Sequence, residues 1–548
     1  MSDNRLSYRY LLNDVKTSIS ADHEEICREA ARQMKRRGIQ TRSLHFRLYK
    51  RSVDARRKEE IRFVSSILVE SESPIPEDLQ KRAGLRAWID VSPEIVRGKA
   101  RLKAPPLVVG MGPAGLFAAL LLAENGYDPI LIDRGDSIDD RVASVDRFIR
   151  EGFLDTESNI QFGAGGAGTF SDGKLITRIH DPYCNYVLHM LCRFGAPEEI
   201  LTLAKPHIGT DLLRRIIANL LSEIERLGGK VLYRTRMDDF CESADASVTV
   251  YTNYGELRSG ALILAPGHSA RDTYELLLKK QFSIEAKPIS VGVRAEHLQC
   301  EIDRALYGDL AGHPNLGPAE YALSDTRGTR GVYTFCMCPG GEVVAAASEE
   351  GGLVVNGMSN HARNGKNANA AVAVSISCTD YEPINGSLAL GAIAFQRRIE
   401  RAAFTAGGGD YDAPIMTLGD LIGEYRATEP SRVLPSYRRG KIHLTDLRSV
   451  FPTFITESLR YAFSSFGKKL EGYDAPDTIL TAAETRTSAP LRILRLPEER
   501  TAIGHELIYP CGEGAGYAGG ITSAAVDGLR SAEALIKKFG SVSESCFN

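Results

Sequence analysis

From Leu107 onward, short β-branched apolar runs alternate with stretches in which apolar residues recur every three or four positions. That alternation predicts an α/β core built on a parallel sheet. The first hundred residues follow another pattern. Ile26, Ala30 and Met34 recur at helical spacing behind Asp22, a suitable cap, with Glu25 three positions on as in a capping box. Lys35-Arg36-Arg37 then falls at the negative end of the helix dipole, and Gly38 is a natural stop. Strand-like runs at Tyr8–Leu12, Ser43–Tyr49 and Ile61–Val69 flank this helix, so residues 1–100 read as a small α+β domain without an evident active site. Pro93 to Pro106 reads as a linker. From about Lys287 to Asp477 the pattern shifts to short strands, many glycines and few long helical periods. This reads as a substrate domain inserted between two parts of one nucleotide-binding domain.

Composition narrows the class. The 548 residues are 43% hydrophobic and 25% charged, a globular balance, and ten cysteines are too few for a disulfide scaffold, which favours a reducing, cytoplasmic setting. Met1-Ser-Asp-Asn-Arg-Leu-Ser-Tyr has no apolar core, and runs such as Phe117 to Ala123 fall short of a membrane span, which argues against secretion and membrane insertion. The net charge of −3 hides an asymmetry: residues 1–100 carry 21 Lys/Arg against 15 Asp/Glu, and the rest 46 against 55. A basic N-terminal region could meet an acidic partner or RNA. No aromatic interleaving accompanies it, so a solvated basic face is favoured over a nucleic-acid site.

The most informative segment is Leu107-Val-Val-Gly110-Met-Gly112-Pro113-Ala114-Gly115-Leu-Phe-Ala-Ala119. A strand runs into Gly-x-Gly-x-x-Gly and a helix. Gly110 makes the tight turn, Gly112 lets backbone approach a pyrophosphate, and Gly115 lets helix and strand pack closely. A second strand ends in Asp133, 23 positions after Gly110, where a ribose diol wants a carboxylate and a 2′-phosphate would be repelled. Together these features predict a dinucleotide site. The loop Gly163–Lys174 is too glycine-rich for a helix interior and can pass close to a cofactor. Near the end, Gly512-Glu513 and Gly519-Gly520-Ile521-Thr522 lead into a helix. Glu513 can accept from a ribityl chain, and that helix N-terminus can face a flavin N1–C2=O edge.

These segments, with Ala265-Pro266-Gly267, resemble the FAD-binding segments of the glutathione-reductase-like flavoprotein superfamily. More closely, the chain is similar to the uncharacterised bacterial FAD-dependent dehydrogenases, through Phe162–Lys174, Ala265–Tyr274, Phe335-Cys-Met-Cys-Pro-Gly-Gly341, Glu484–Pro490, Gly512–Ile521 and Tyr49–Lys58. One departure is Ala164, where that family is expected to carry glutamate. The resemblance implies an α/β fold: a Rossmann-like FAD-binding domain (101–286 and 481–548), an inserted α+β substrate domain (287–480) and a small N-terminal α+β domain (1–100). Gly110, Gly112, Pro113, Ala114, Gly115, Asp133 and Arg134 are the candidates for the ADP half of FAD. Gly166, Ala167, Gly168, Thr169, Ser171, Asp172, Gly173, Lys174, Ala265, Pro266, Gly267, Gly512, Glu513, Gly519, Gly520, Ile521 and Thr522 are those for the pyrophosphate and flavin half.

Flavin carries the electron chemistry itself, so few protein groups stand out as catalytic. Arg486 could bind a substrate carboxylate, or pair with Glu484 as a loop anchor. Tyr517 could donate a hydrogen bond at the flavin edge or merely shield the ring. His268 reads as a turn residue near the cofactor. Cys336-x-Cys338 reads as strand packing, both thiols on one face, over a redox or metal pair. Asn356-Gly-Met-Ser359, Arg363 and Asn367-x-Asn369 form a polar stretch that no spacing selects. No second strand-Gly-x-Gly-x-x-Gly-helix unit is present, so NAD(P)H, if it reduces the flavin, must dock transiently. The expected function is hydride transfer between flavin N5 and a small organic substrate. Flavin hydroxylation with O2 and an RNA-associated or redox-sensing flavoprotein are the alternatives.

Overall fold

The computed structural model describes residues 8–88 and 95–541. The N-terminal sheet has strand order Leu44–Asp54, Arg62–Ser71, Tyr8–Ser18, Leu85–Ala87, with antiparallel pairing throughout. Helix His23–Arg36 lies where the spacing predicts it: Asp22 accepts from Glu25 N at 2.7 Å, and Ile26, Ala30 and Met34 are its buried face. Each long strand runs beyond its sequence reading; in the first, a bulge between Leu12 and Val15 shifts the register, so the polar Asn13, Asp14 and Lys16 hide the continuation. These elements enclose their own core.

A second sheet is wholly parallel, in the order Ile508–Pro510, Leu262–Leu264, Leu107–Val109, Ile130–Ile132, Lys230–Leu232. Helix Pro113–Glu124 follows the central strand and is buried on nearly every side, between the sheet and helix Ile521–Lys538. A seven-stranded sheet has all its strands between Ser290's neighbour Ile289 and Glu484, in the order Ser324–Asp325, Val332–Cys338, Asn367–Ile376, Ile289–Leu298, Ile479–Glu484, Ala413–Thr417, Ile442–Leu444. Helices Leu388–Ala406 and Thr453–Gly467 pack on it.

Two sequence expectations are corrected. The region from Lys287 to Asp477 is not built of short elements: two of its strands are ten residues long and helix Leu388–Ala406 has 19 residues. Asn367–Ile376 is buried on both faces, so no period-two alternation marks it. The Pro93–Pro106 stretch is not a free linker where it is described. Ala100–Arg101 pairs in parallel with Phe539–Gly540, and Gly98 N donates to Ile536 O at 2.8 Å. Pro93 and Glu94, like Met1 to Ser7, lie outside the described residues. Among the described residues no helix is long and apolar enough to cross a membrane.

Candidate functional site

The C-terminal ends of the parallel strands open into a cleft of about 330 Å3. Three separate segments converge there. The first is the turn after Leu107–Val109. Gly110 has φ +101°, and a Cβ on it would lie 2.1 Å from Ala265 O; one on Gly115 would lie 1.8 Å from Gly110 O. Strand, turn and helix therefore touch through backbone alone. Gly112 caps helix Pro113–Glu124, whose N-terminus faces the cleft through Gly112, Pro113 and Ala114. Asp133 reaches the same rim, each carboxylate oxygen accepting one backbone N–H, from Met111 and Gly135, at 2.8 Å.

The second segment is the glycine-rich loop. Gly166, Ala167, Gly168, Ser171, Asp172, Gly173 and Lys174 line the cleft. Its shape is imposed by Arg141, a fully buried guanidinium that donates to Asn159 O, Ile160 O, Gly163 O and Ala164 O. Burial lowers this arginine to about 9. Sequence reading missed Arg141; its signal is an arginine on the inward face of helix Ile138–Glu151. Ala164 is fully buried, which leaves no room for a polar role there. Asp172 is buried and ion-paired with Arg363 and, at 3.0 Å, Lys174, which hold its carboxyl well below the usual range against the opposing effect of burial. Lys174 also donates to Met337 O.

The third segment is Cys511–Gly520, with Ala265, Pro266 and Gly267 opposite. Gly512 (φ +76°) donates its N–H to Asp527 at 2.7 Å, and Asp527 is held in turn by Arg495 and Arg500. The Tyr274 hydroxyl, 2.9 Å from Gly514 O and 3.1 Å from Gly267 O, ties the two loops together. Asp527 and Tyr274 were also missed; nothing local marks a residue that acts on backbone far away in sequence. Glu513 lines the cleft, and burial pushes its carboxyl up to about 7. His268 Nδ1 lies 3.8 Å from Glu513 Oε2; burial and the nearby Arg486 and Arg271 push the imidazole down to about 4. Among the described residues the buried His268 Nε2 has no hydrogen-bond partner.

Gly519, Gly520 and Ile521 line the cleft as well, and so does Arg486. Five candidates stand behind it or outside it. Gly115 is a packing contact. Thr169 O accepts from Thr210 Oγ1, and Thr522 Oγ1 donates to Leu175 O, so both brace loops. Arg134 pairs with Asp272 and lies over the Phe162 ring at 4.6 Å. Tyr517 is corrected: its ring turns away from the cleft and lies under the Arg495 guanidinium at 3.7 Å, a cation–π contact with a cation already fixed by Asp527. The Arg486–Glu484 pair is also corrected. Glu484 binds the buried Arg294, while Arg486 binds Glu400 through Nε at 3.1 Å and Nη2 at 3.0 Å. Cys336 and Cys338 do not share a buried face. The strand bulges between Phe335 and Cys338, Cys336 has φ +44° and lines the cleft, and Cys338 is buried. Among the described residues no cluster of His, Cys, Asp and Glu is arranged to hold a metal ion.

The residues present fit a dinucleotide. Backbone crowds Gly110, Gly166 and Gly514 so closely that side chains are excluded there, a helix N-terminus and a carboxylate rim the opening, and His268 is among the residues that line it.

Comparison with known proteins defines the class first. Residues 288–487 match the FAD-dependent protein, C-terminal domain-like family, and residues 11–70 match a domain of unknown function, DUF8436. An uncharacterized protein of Clostridium beijerinckii is 45% identical over 498 residues, covering 90% of this chain and 92% of that one. The chain belongs to the same family as that protein. Similar solved structures include CtdE in complex with FAD (11% identity, 78% of this chain and 83% of that chain, TM-score 0.32) and the amino acid oxidase NikD (13%, 79% and 93%, 0.33).

Proposed function

We propose that the protein binds FAD non-covalently in this cleft and acts as an FAD-dependent oxidoreductase on a small organic substrate, by hydride transfer to or from flavin N5. The observation that carries the reading is the convergence of the three glycine turns on one cleft where a Cβ on Gly110, Gly166 or Gly512 would strike neighbouring atoms. On this reading residues 101–286 and 481–548 form the FAD-binding unit, 287–480 the substrate domain and 1–100 an added unit.

FAD would supply the two-electron chemistry. Gly112 and Ala114, at the N-terminus of helix Pro113–Glu124, would offer their N–H groups and the helix dipole to the pyrophosphate. Asp133 keeps lone pairs for a ribose diol. Near neutral pH burial keeps the His268 imidazole neutral and the Glu513 carboxyl partly protonated, so Glu513 can hold or release a proton there. Arg486, fixed by Glu400, presents its remaining N–H groups to a substrate anion or a developing negative charge.

The test is the visible spectrum of the purified protein, recorded anaerobically before and after NADH or NADPH. A bound flavin is expected. Bleaching by a nicotinamide points to a reductase or hydroxylase fed by transient docking, and a flavin indifferent to both points to a dehydrogenase reduced by its own substrate or to a structural or sensing flavin. A native protein without flavin overturns the reading.

A further inference from the structure

We propose that Cys336 and Cys338 are a redox-active dithiol that exchanges electrons with the flavin, which makes thiols the substrate class. The proposal rests on the FAD reading above.

Three observations carry it. The bulge before Cys338 and the left-handed backbone at Cys336 bring one sulfur residue to the cleft that Glu513 lines, and leave the other buried behind it, with Cys338 Sγ 3.4 Å from Cys336 O. This is the arrangement of an accessible thiol with a resolving thiol next to it. The segment is also held by cations. Arg294, fully buried, donates to Cys336 O at 2.9 Å and lies 4.0 Å from Cys338 Sγ, while Lys174 donates to the intervening Met337 O. A cysteine that only fills space needs neither cleft access nor cations. Finally, the neighbouring thiol, Arg294 and Lys174 bring the Cys336 thiol down to about 6, and Cys338 is raised well above its ordinary value by Cys336 and by burial. One negative charge is shared by two sulfurs, as nucleophilic attack on a disulfide requires.

The step balances. Two S–H bonds are lost and one S–S bond forms; two electrons and one proton pass to the oxidised flavin, and the second proton is released. An external dithiol then reopens the disulfide by exchange: its two sulfurs form the new disulfide, and Cys336 and Cys338 return to thiols beside the reduced flavin.

The experiment uses the full-length protein as purified, with flavin content read from its spectrum. After treatment with oxidised glutathione and iodoacetamide, mass spectrometry of the peptide holding both cysteines is expected to show the loss of two hydrogens and no alkylation. After dithiothreitol, both sulfurs are alkylated. Anaerobic dithiothreitol is expected to bleach the flavin of the wild-type protein, and Cys336→Ser and Cys338→Ser, assayed at equal flavin content, to lose that bleaching. Two alkylated sulfurs after oxidation overturn the dithiol, whatever the variants do. Bleaching at the wild-type rate in both variants overturns the electron exchange. A colourless native protein instead overturns the FAD reading, and the mass measurement still decides the disulfide.

Discussion

Gly112 and Gly115 stand one helical turn apart and have opposite tolerances. A Cβ on Gly115 would meet Gly110 O at 1.8 Å, whereas one on Gly112 finds nothing nearer than Gly166 Cα at 3.9 Å. Gly115→Ala must push the helix off its strand and is expected to lower stability by about 1–3 kcal/mol. Gly112→Val has room in the protein but fills the cleft, so it is expected to fold normally and lose its flavin. Thermal unfolding and flavin content of the two variants separate these outcomes, and a Gly112→Val protein with full flavin refutes the assignment. Glu513 supplies a pH signature. Its carboxyl is raised from 4.5 to about 7, so the folded flavin-free protein keeps a proton that the unfolded chain loses. The associated stability is complete below pH 4.5 and is lost as pH rises through 7. Thermal melts of the flavin-free protein across that window should show a decline that Glu513→Gln removes. That Gly115 packs against the turn at Gly110 was legible in sequence because the contact lies within one local motif. Arg141, Tyr274 and Asp527 were not, since each shapes a loop it meets only in the fold.

At the scale of elements, helix Pro113–Glu124 meets helix Ile521–Lys538 across Gly528, where a Cβ would lie 2.0 Å from Ala114 O. Ala114 is also one of the residues through which this helix faces the cleft, so the second helix helps to set the position of the first. Gly528→Ala is expected to separate them, at a cost of about 1–3 kcal/mol, and to weaken flavin retention through Ala114. Equal melting temperature and flavin content in variant and wild type would show that the contact relaxes freely. Helix His23–Arg36 and the strand–turn–helix at Leu107 were readable because a local period or motif specifies them. Asn367–Ile376 was not, because a strand covered on both faces has no alternation. The Cys336 reading failed for a third reason: period-two spacing assumes a regular pleat, and the bulge breaks it.

For the whole molecule, the buried carboxylate of Glu400 is one of the ties between the parallel sheet and the seven-stranded sheet. Glu400, on helix Leu388–Ala406, accepts from Arg271 Nη1 and Nη2 at 2.8 and 2.7 Å, from Arg486 at 3.1 and 3.0 Å, and from Thr485 Oγ1 at 2.7 Å. Arg271 belongs to the helix after the Ala265–Gly267 turn, and Arg486 follows the last long strand of the larger sheet. The two guanidiniums hold Glu400 well below the usual glutamate range despite its burial. Its contribution to stability is therefore present above that range and lost as pH falls through and below it. Glu400→Gln removes the nearest counter-charge of Arg486 and leaves Arg271 only Glu349, 2.7 Å away, and the expected loss is about 3–5 kcal/mol. Because Arg486 lines the cleft, flavin is expected to leave the variant at lower denaturant than the wild type. Replacing Glu400, Arg271 and Arg486 together with apolar residues removes the unpaired charges and should restore most of the stability, but not the flavin retention that depends on Arg486. Denaturant unfolding followed by both protein signal and flavin release measures the two separately. A single variant as stable as the wild type would mean that solvent reaches these arginines and that the sheets are held together elsewhere.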